Sequence, residues 1–295
     1  MANDAKLKEK ISELEELLRQ KDQEIQRYRQ ELVRTNQSLE KVITDLTQEI
    51  RWISVIQRAL TPTAIPSIPG FEFSTKFAPG SQFGGDYFDI FEHDDHLKFG
   101  VLLSCSSGYA TSALFLSVLL KLSGRIEAKK GLLPLRALEL VAQEMRPHMQ
   151  AKDSVSIVYA VVDRRTFEFR YSSMGEVACL LQSQGQDKLV RLEPGGKSLS
   201  LDLNVKPLEH SIQLGAKDRL IICSTGVLQA ATSTGESFGW DRLQAAVLRA
   251  PRRSVHDLRN EIYFQIERFT GQAEPVRDLT VLVLEVNERV IKLAK

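Results

Sequence analysis

The sequence predicts an α+β fold with sheets inside and helices outside, preceded by one long N-terminal helix. Three observations carry this. Apolar residues recur every seven positions through residues 7–56. Beyond residue 70 the chain is rich in alternating or apolar runs of strand length. The helical patterns among those runs fall into two separate groups, which favours segregated layers.

With Leu7 at d, the a positions are Ile11, Leu18, Ile25, Leu32, Leu39, Leu46 and Ile53, all apolar. The d positions are Leu7, Leu14, Lys21, Tyr28, Thr35, Val42, Glu49 and Ile56, of which five can be buried. A strict seven-residue period imposes a left-handed supercoil. Residues 1–56 are therefore expected to be a coiled-coil helix, forming a homodimer through residues 7–56, parallel by default. No Pro or Gly precedes Pro62, and at 1.5 Å per residue the rod would run about 75 Å. A lone amphipathic helix packed on its own domain is the simpler alternative, but such a rod would outrun a domain of ordinary diameter. Pro62, Pro66, Pro69 and Gly70 end the helix, leaving residues 57–70 as a linker or switch segment and 71–295 as the core domain.

Residues 71–79 alternate as a half-buried strand. Residues 86–91 and 97–104 read as a strand pair joined by the polar turn Glu92-His93-Asp94-Asp95-His96. Residues 110–127 read as a buried helix. Residues 134–149 read as another, with Pro134 near its N-terminus and Leu135, Leu138, Leu140, Val141 and Met145 on its apolar side. Strands follow at 154–163, 166–173, 176–183, 187–193, 208–213 and 218–224. Helices are expected at 239–249 and 254–270, and a last strand at 278–287.

Composition narrows the function classes. Hydrophobic residues make up 43% and charged residues 26% of 295, which fits a globular protein with a core of about 230 residues plus an extension. A net charge of +1 implies no bulk attraction to nucleic acid or anionic lipid. Cys105, Cys179 and Cys223 are few, scattered and set in apolar runs, which predicts free thiols in a reducing, cytoplasmic compartment. The charged first 30 residues do not read as a signal peptide. Residues 101–120 lack charges, but Ser104, Ser106, Ser107, Ser112 and Ser117 argue for a buried strand and helix over a membrane span.

Three local patterns take the plainer reading. His93-Asp94-Asp95-His96 is expected to be a solvated hairpin turn, since neither spacing nor surroundings support a metal site. Gly195-Gly196-Lys197-Ser198 lacks the first glycine of a phosphate loop, because position 191 is Arg, and reads as a turn. Cys105 has no nearby His or following Arg and reads as a buried thiol.

A set of ordered blocks carries more. They are Gln57-x-x-Leu60-x-Pro62, Phe83-Gly84-Gly85-Asp86-Tyr87, the strand running from Gly100 into Ser104-Cys105-Ser106-Ser107-Gly108, Asp218 to Val227, Gly235-Glu236-Ser237-Phe238-Gly239, and Val276-Arg277-Asp278-Leu279-Thr280. In this order they resemble the PPM-type (type 2C) protein serine/threonine phosphatases of the bacterial SpoIIE/RsbU branch, over residues 52–287. The resemblance implies a β-sandwich flanked by helices. It also implies hydrolysis of phosphoserine or phosphothreonine by a water activated between two divalent metals.

Residue by residue, the resemblance places Asp86 at the metal-bridging aspartate, beside Gly85, and Asp278 in the closing Asp-Asp-x-Thr. It puts Ser104 where the family writes the Asp of Asp-x-Ser-Gly, Thr225 at the Asp of Asp-Gly-Val, and Arg277 at the first closing Asp. Met174-Gly175-Glu176 falls where relatives often have Ala-Gly-His. Only Asp86 and Asp278 are then left as residual metal residues, against ions that want several carboxylate oxygens. No cofactor is expected, with Mn²⁺ or Mg²⁺ the metal if a site survives.

The leading expectation is a catalytically inactive, regulatory member of this family that binds a signalling partner, such as a phosphorylated protein of the anti-sigma-antagonist type. One alternative is an active phosphatase with a reduced metal site, helped by Asp89 or Glu176. Another is a coiled-coil scaffold that modulates an active homologue. Arg277 either pairs with Asp278 or makes the old cleft a phosphate-binding pocket.

Overall fold

Helix α1 spans Ala2–Leu60, as the uninterrupted heptad pattern predicts. The structure, a computed structural model, describes residues 2–60, 65–81, 85–107, 118, 131–185, 189–193, 195–201, 207–271 and 274–287. The chain divides into two units, residues 1–52 and 53–295. In the first unit, the a-position residues Ile11, Leu18, Ile25, Leu32, Leu39 and Leu46 all stand in solvent, from 47% exposed at Ile25 to 64% at Leu32. Each would gain roughly 1.5–3 kcal/mol from full burial, so this stripe is a strong apolar seam along an otherwise charged helix.

The second unit is built on two antiparallel sheets. Its strands are β1 (Phe71–Ala78), β2 (Asp86–Glu92), β3 (Lys98–Ser107), β4 (Ser154–Asp163), β5 (Glu168–Met174), β6 (Ala178–Gln182), β7 (Leu189–Arg191), β8 (Leu199–Ser200), β9 (Leu208–Gln213), β10 (Arg219–Cys223) and β11 (Leu279–Val286). One sheet has the order β1-β11-β10-β6-β7; the other has β2-β3-β4-β5-β9, with β8 paired to β4. Four more α-helices, α2 (Pro134–Met145), α3 (Thr225–Gln229), α4 (Gly239–Arg249) and α5 (Val255–Thr270), and a 3-10 turn at Arg146–His148 complete the described elements.

The two-residue period of each strand sends alternate side chains to opposite faces. Phe88, Ile90, Phe99, Val101, Leu103 and Cys105 pack against Phe71, Leu220, Ile222, Leu282 and Leu284 between the sheets. The outward residues Leu180, Ile221, Val281 and Val283 pack on Leu243, Val247, Leu258 and Ile262 of α4 and α5. On the other side, Tyr87, Phe91, Leu102, Ile157 and Tyr159 pack on Leu138, Val141 and Met145 of α2. The sequence-predicted arrangement of sheets inside and helices outside is the one found. Helix α5 has a good local signature: the Ser254 side chain accepts from the Asp257 N–H, and Gly271 closes it in a left-handed cap.

Most predicted elements occur within a few residues of their expected bounds. The helix expected at 110–127 lies outside the described residues, apart from Val118. Two elements were not anticipated: β8 and α3 are too short, at two and five residues, to show a period.

One expectation is corrected. His93-Asp94-Asp95-His96 is expected to be a solvated turn, but His93 is only 3% exposed. The β2–β3 ladder runs on past Glu92, through the His93 N–H to the Lys98 carbonyl at 3.1 Å. Alternation then turns the His93 ring inward, parallel to Phe91 with centroids 5.7 Å apart. None of the described helices is long and apolar enough to cross a membrane.

Candidate functional site

The polar residues at one end of the sandwich converge between the two sheets. Asp86 opens β2, and its cross-strand partner on β3 is Cys105. Opposite them lies the start of β11, with Asp278 just before it and Thr280 within it. The Thr280 hydroxyl donates to Asp86 Oδ2 at 2.7 Å. Ser224, at the end of β10, accepts from the Thr280 N–H at 3.0 Å and donates to the Asp278 carbonyl at 3.3 Å. Burial, and then the charge of Asp278, hold the Asp86 carboxyl well above the ordinary carboxylate range; hydrogen bonds from Thr280, Ser224 and Cys105 pull the other way. Burial, and then Asp86, push the Cys105 thiol up as well, while Thr225 bonds to it through backbone and side chain.

Asp278 is buried and acts as a backbone clamp. Its Oδ1 accepts from the Gly80 N–H at 2.7 Å, and its Oδ2 accepts from the Gly85 N–H at 2.8 Å and the Asp86 N–H at 3.0 Å. The Gly85 carbonyl accepts from the Ser106 N–H at 3.1 Å. The turn after β10 is locked against the same residue. A Cβ on Gly226 would lie 2.0 Å from the Asp278 carbonyl oxygen, a contact with backbone that cannot be relieved by a rotamer change.

The predicted site residues thus separate. Gly85, Asp86, Thr225 and Asp278 come together. Ser104 does not join them: it shares a face with Leu102, toward α2, and its hydroxyl donates to the Tyr87 carbonyl at 3.3 Å. Cys105 holds the position facing Asp86. The signal for it was present in the sequence, because Cys105-Ser106-Ser107-Gly108 keeps the Ser-Gly of the family's Asp-x-Ser-Gly in step, with the cysteine at the acid. Asp89 is buried on the far face, accepting from the Tyr87 hydroxyl at 3.0 Å, and Glu176 is exposed on its loop. Ser224 and Thr280 were not singled out as site residues, although Thr280 stands at the Thr of the closing Asp-Asp-x-Thr; Ser224, a hydroxyl at the end of an apolar strand, carries no pattern of its own.

Arg277 is half-buried and lines a cavity of about 690 Å³ with Lys76, Gly226, Tyr263, Glu267 and Glu274. The Lys76 ammonium sits 4.1 Å from the centre of the Tyr263 ring. Tyr263 itself is fixed by its hydroxyl, shared between the Leu279 carbonyl at 2.6 Å and the Lys76 carbonyl at 3.0 Å.

The donor chemistry does not fit a pair of hard divalent cations. Such ions need several carboxylate oxygens with open lone pairs. Here Asp278 turns both oxygens to backbone N–H groups, three in all, the Gly85 carbonyl already accepts one bond, Cys105 is a protonated soft donor, Thr225 is neutral, and Arg277 is cationic. Among the described residues, no group of three or more His, Cys, Asp or Glu is arranged to hold a metal ion.

The paired antiparallel sheets with helices outside them define the fold of the PP2C (PPM) phosphatases. Three solved structures show it. The SiaA-PP2C domain of Pseudomonas aeruginosa matches at 17% identity and a TM-score of 0.69, over 83% of this chain and 98% of that one. The RsbU and RsbW domains of Rv1364c from Mycobacterium tuberculosis match at 18% and 0.62, over 76% and 62%. The phosphatase domain with part of the regulatory domain of SpoIIE from Bacillus subtilis matches at 14% and 0.62, over 73% and 63%. This chain thus spans less than two thirds of the last two. Among curated proteins, none matches. The chain belongs to the family described as Stage II sporulation protein E (SpoIIE), whose pattern matches residues 98–287.

Proposed function

We propose that this protein is a regulatory member of the SpoIIE family that has lost metal-dependent hydrolysis and acts by binding a phosphorylated signalling protein of the anti-sigma-antagonist type. The carrying observation is the clamp at Asp278. A carboxylate whose two oxygens accept three backbone N–H bonds is a structural group, and it leaves Asp86 without a second acid to share an ion. The cavity beside it is lined by the cations Arg277 and Lys76, the types that pair with a phosphoryl group, together with the acids Glu267 and Glu274. The three cysteines are buried free thiols, which fits a reducing compartment. The rival reading is an active phosphatase with one metal on a reduced ligand set, and the retained Asp86 favours it.

An assay of p-nitrophenyl phosphate hydrolysis with Mn²⁺ separates the two. The wild-type chain is expected to show no rate above blank. A wild-type rate that disappears in Asp86→Ala would establish an enzyme instead.

The homodimer through residues 7–56 belongs to the same proposal. In a parallel, in-register pair Lys10 meets Glu15 of the other copy and Glu24 meets Arg29, both attractive. Lys21 and Glu49 at d face their own copies and weaken the seam. Leu32→Lys is expected to convert a dimer to a monomer by light scattering at micromolar concentration, since the side chain is exposed in a single chain and costs it little. A wild-type monomer, or a variant that stays dimeric, would refute the pairing. A scaffold that prefers a homologue would show itself in mixed crosslinking, as a heteropair forming in place of the self-pair.

A further inference from the structure

A second surface, on the outer helices, is marked by its charge. Helices α4 and α5 flank a groove of about 450 Å³, lined by Arg242, Ala245 and Arg249 from α4 and by Gln265, Arg268 and Phe269 from α5. We propose that this groove docks an acidic peptide segment of a partner protein, with its carboxylates on the arginines and an apolar side chain against Phe269 and Ala245. The proposal does not depend on the function proposed above.

The two helices run antiparallel, which spreads the cations along the groove. Phe238, just before α4, meets Phe269, near the end of α5, edge to face with ring centroids 5.6 Å apart. The Arg242 guanidinium lies 4.4 Å from the centre of the same Phe269 ring. Arg242 and Arg268 therefore stand toward one end of the groove. Arg249, seven residues further along α4, is displaced by about 10 Å along the helix axis and stands toward the other end. An extended peptide advances about 3.3 Å per residue, so carboxylates three residues apart match that displacement. The spacing suits a row of carboxylates better than one compact anion.

The charge of the groove is uncompensated. Among the described residues, no Asp or Glu lines it. Arg242 is already committed: it pairs with Glu236 and donates to the Ser237 and Phe238 carbonyls at 3.1 and 3.3 Å. Glu261, one turn before Gln265, accepts from the Gln265 amide at 2.7 Å. Among the described residues, the side chains of Arg249 and Arg268 have no ion pair or hydrogen bond, and both are exposed. Each stands in the last turn of its helix, where a cation also eases the orphan carbonyls. That role accounts for a cation on each helix. It does not require that both border one groove without acids, beside a half-buried ring. Carboxylates supply the missing charge, and the half-buried Phe269 and Ala245 give an apolar residue of the same segment a place to pack.

The test is fluorescence anisotropy of a labelled polyglutamate peptide with one central leucine, titrated with the full chain at low ionic strength. Saturable binding in the micromolar range is expected. Arg249→Gln and Arg268→Gln lie at exposed helical positions where Gln is nearly as good a helix former. Each is expected to weaken binding about threefold, and the two together about tenfold. Arg19→Gln combined with Arg34→Gln removes the same charge from α1, at exposed b and c positions of the heptad, and is expected to leave binding unchanged. Competition by inorganic phosphate as effective as that by unlabelled peptide would assign the groove to a compact anion. Tighter binding of an oligothymidylate of equal charge would assign it to nucleic acid. Either result, the absence of saturable binding, or equal weakening by the α1 pair would overturn the proposal.

Discussion

Asp278→Ala is expected to lower the stability of the phosphatase-fold domain by about 3–5 kcal/mol in metal-free buffer, because three backbone N–H groups lose a charged acceptor together. For a domain of this size that corresponds to a fall of about 10 °C in melting temperature. The reasoning is geometric. Gly80 follows β1 in one sheet, while Gly85 and Asp86 enter β2 in the other, and the carboxylate binds all three. A residue kept only to ligate a metal would behave in the opposite way. Removing its charge from beside Asp86 would relieve repulsion and leave the metal-free protein as stable or more so. Asp278→Asn, which keeps an acceptor oxygen but turns an N–H₂ toward a donor, is expected to fall between. Thermal unfolding of the three chains in the presence of a chelator reads the result. An unchanged or raised melting temperature for Asp278→Ala would remove the clamp from consideration.

Restoring acids should rebuild a metal centre only if they are placed on the right face. The triple change Cys105→Asp, Thr225→Asp and Arg277→Asp is expected to introduce Mn²⁺ binding at micromolar concentration, visible as heat in calorimetry and as a metal-dependent rise in melting temperature. Counting Asp86, Asp278 and residues 105, 225 and 277, the formal charge goes from −1 to −5. The matched triple with Ser104→Asp in place of Cys105→Asp is expected to fail. Ser104 has no measurable exposure and faces the α2 layer, where an unpaired carboxylate costs several kcal/mol. That chain should be destabilised with or without Mn²⁺. Equal binding by both triples would mean that the facing of β3 is not what sets the site.

These two experiments mark where sequence reading reached and where it stopped. Long periodic or alternating segments were legible: the heptads of residues 7–56, the strands expected at 71–79 and 154–163, and the helices expected at 239–249 and 254–270 declare themselves by period. The phosphatase fold was legible from the order of its blocks. A single-residue offset was not. Ser104 and Cys105 are neighbours in a strand, so an alignment error of one position moves a side chain from the space between the sheets to the opposite face. Nor was the use of Asp278 legible, since a carboxylate that ligates an ion and one that clamps N–H groups are the same letter. His93 was misjudged for a related reason: four polar residues in a row look like a turn, yet the ladder continues one residue into them and turns the first inward.

The Asp86–Thr280 hydrogen bond and the Asp278 clamp run from one sheet to the other. The open end of the sandwich is thus riveted by the polypeptide's own donors and acceptors, with no ion required as the fastener. A chain that closes its jaws in this way can keep the outline of its relatives with its own side chains and backbone holding the two sheets together.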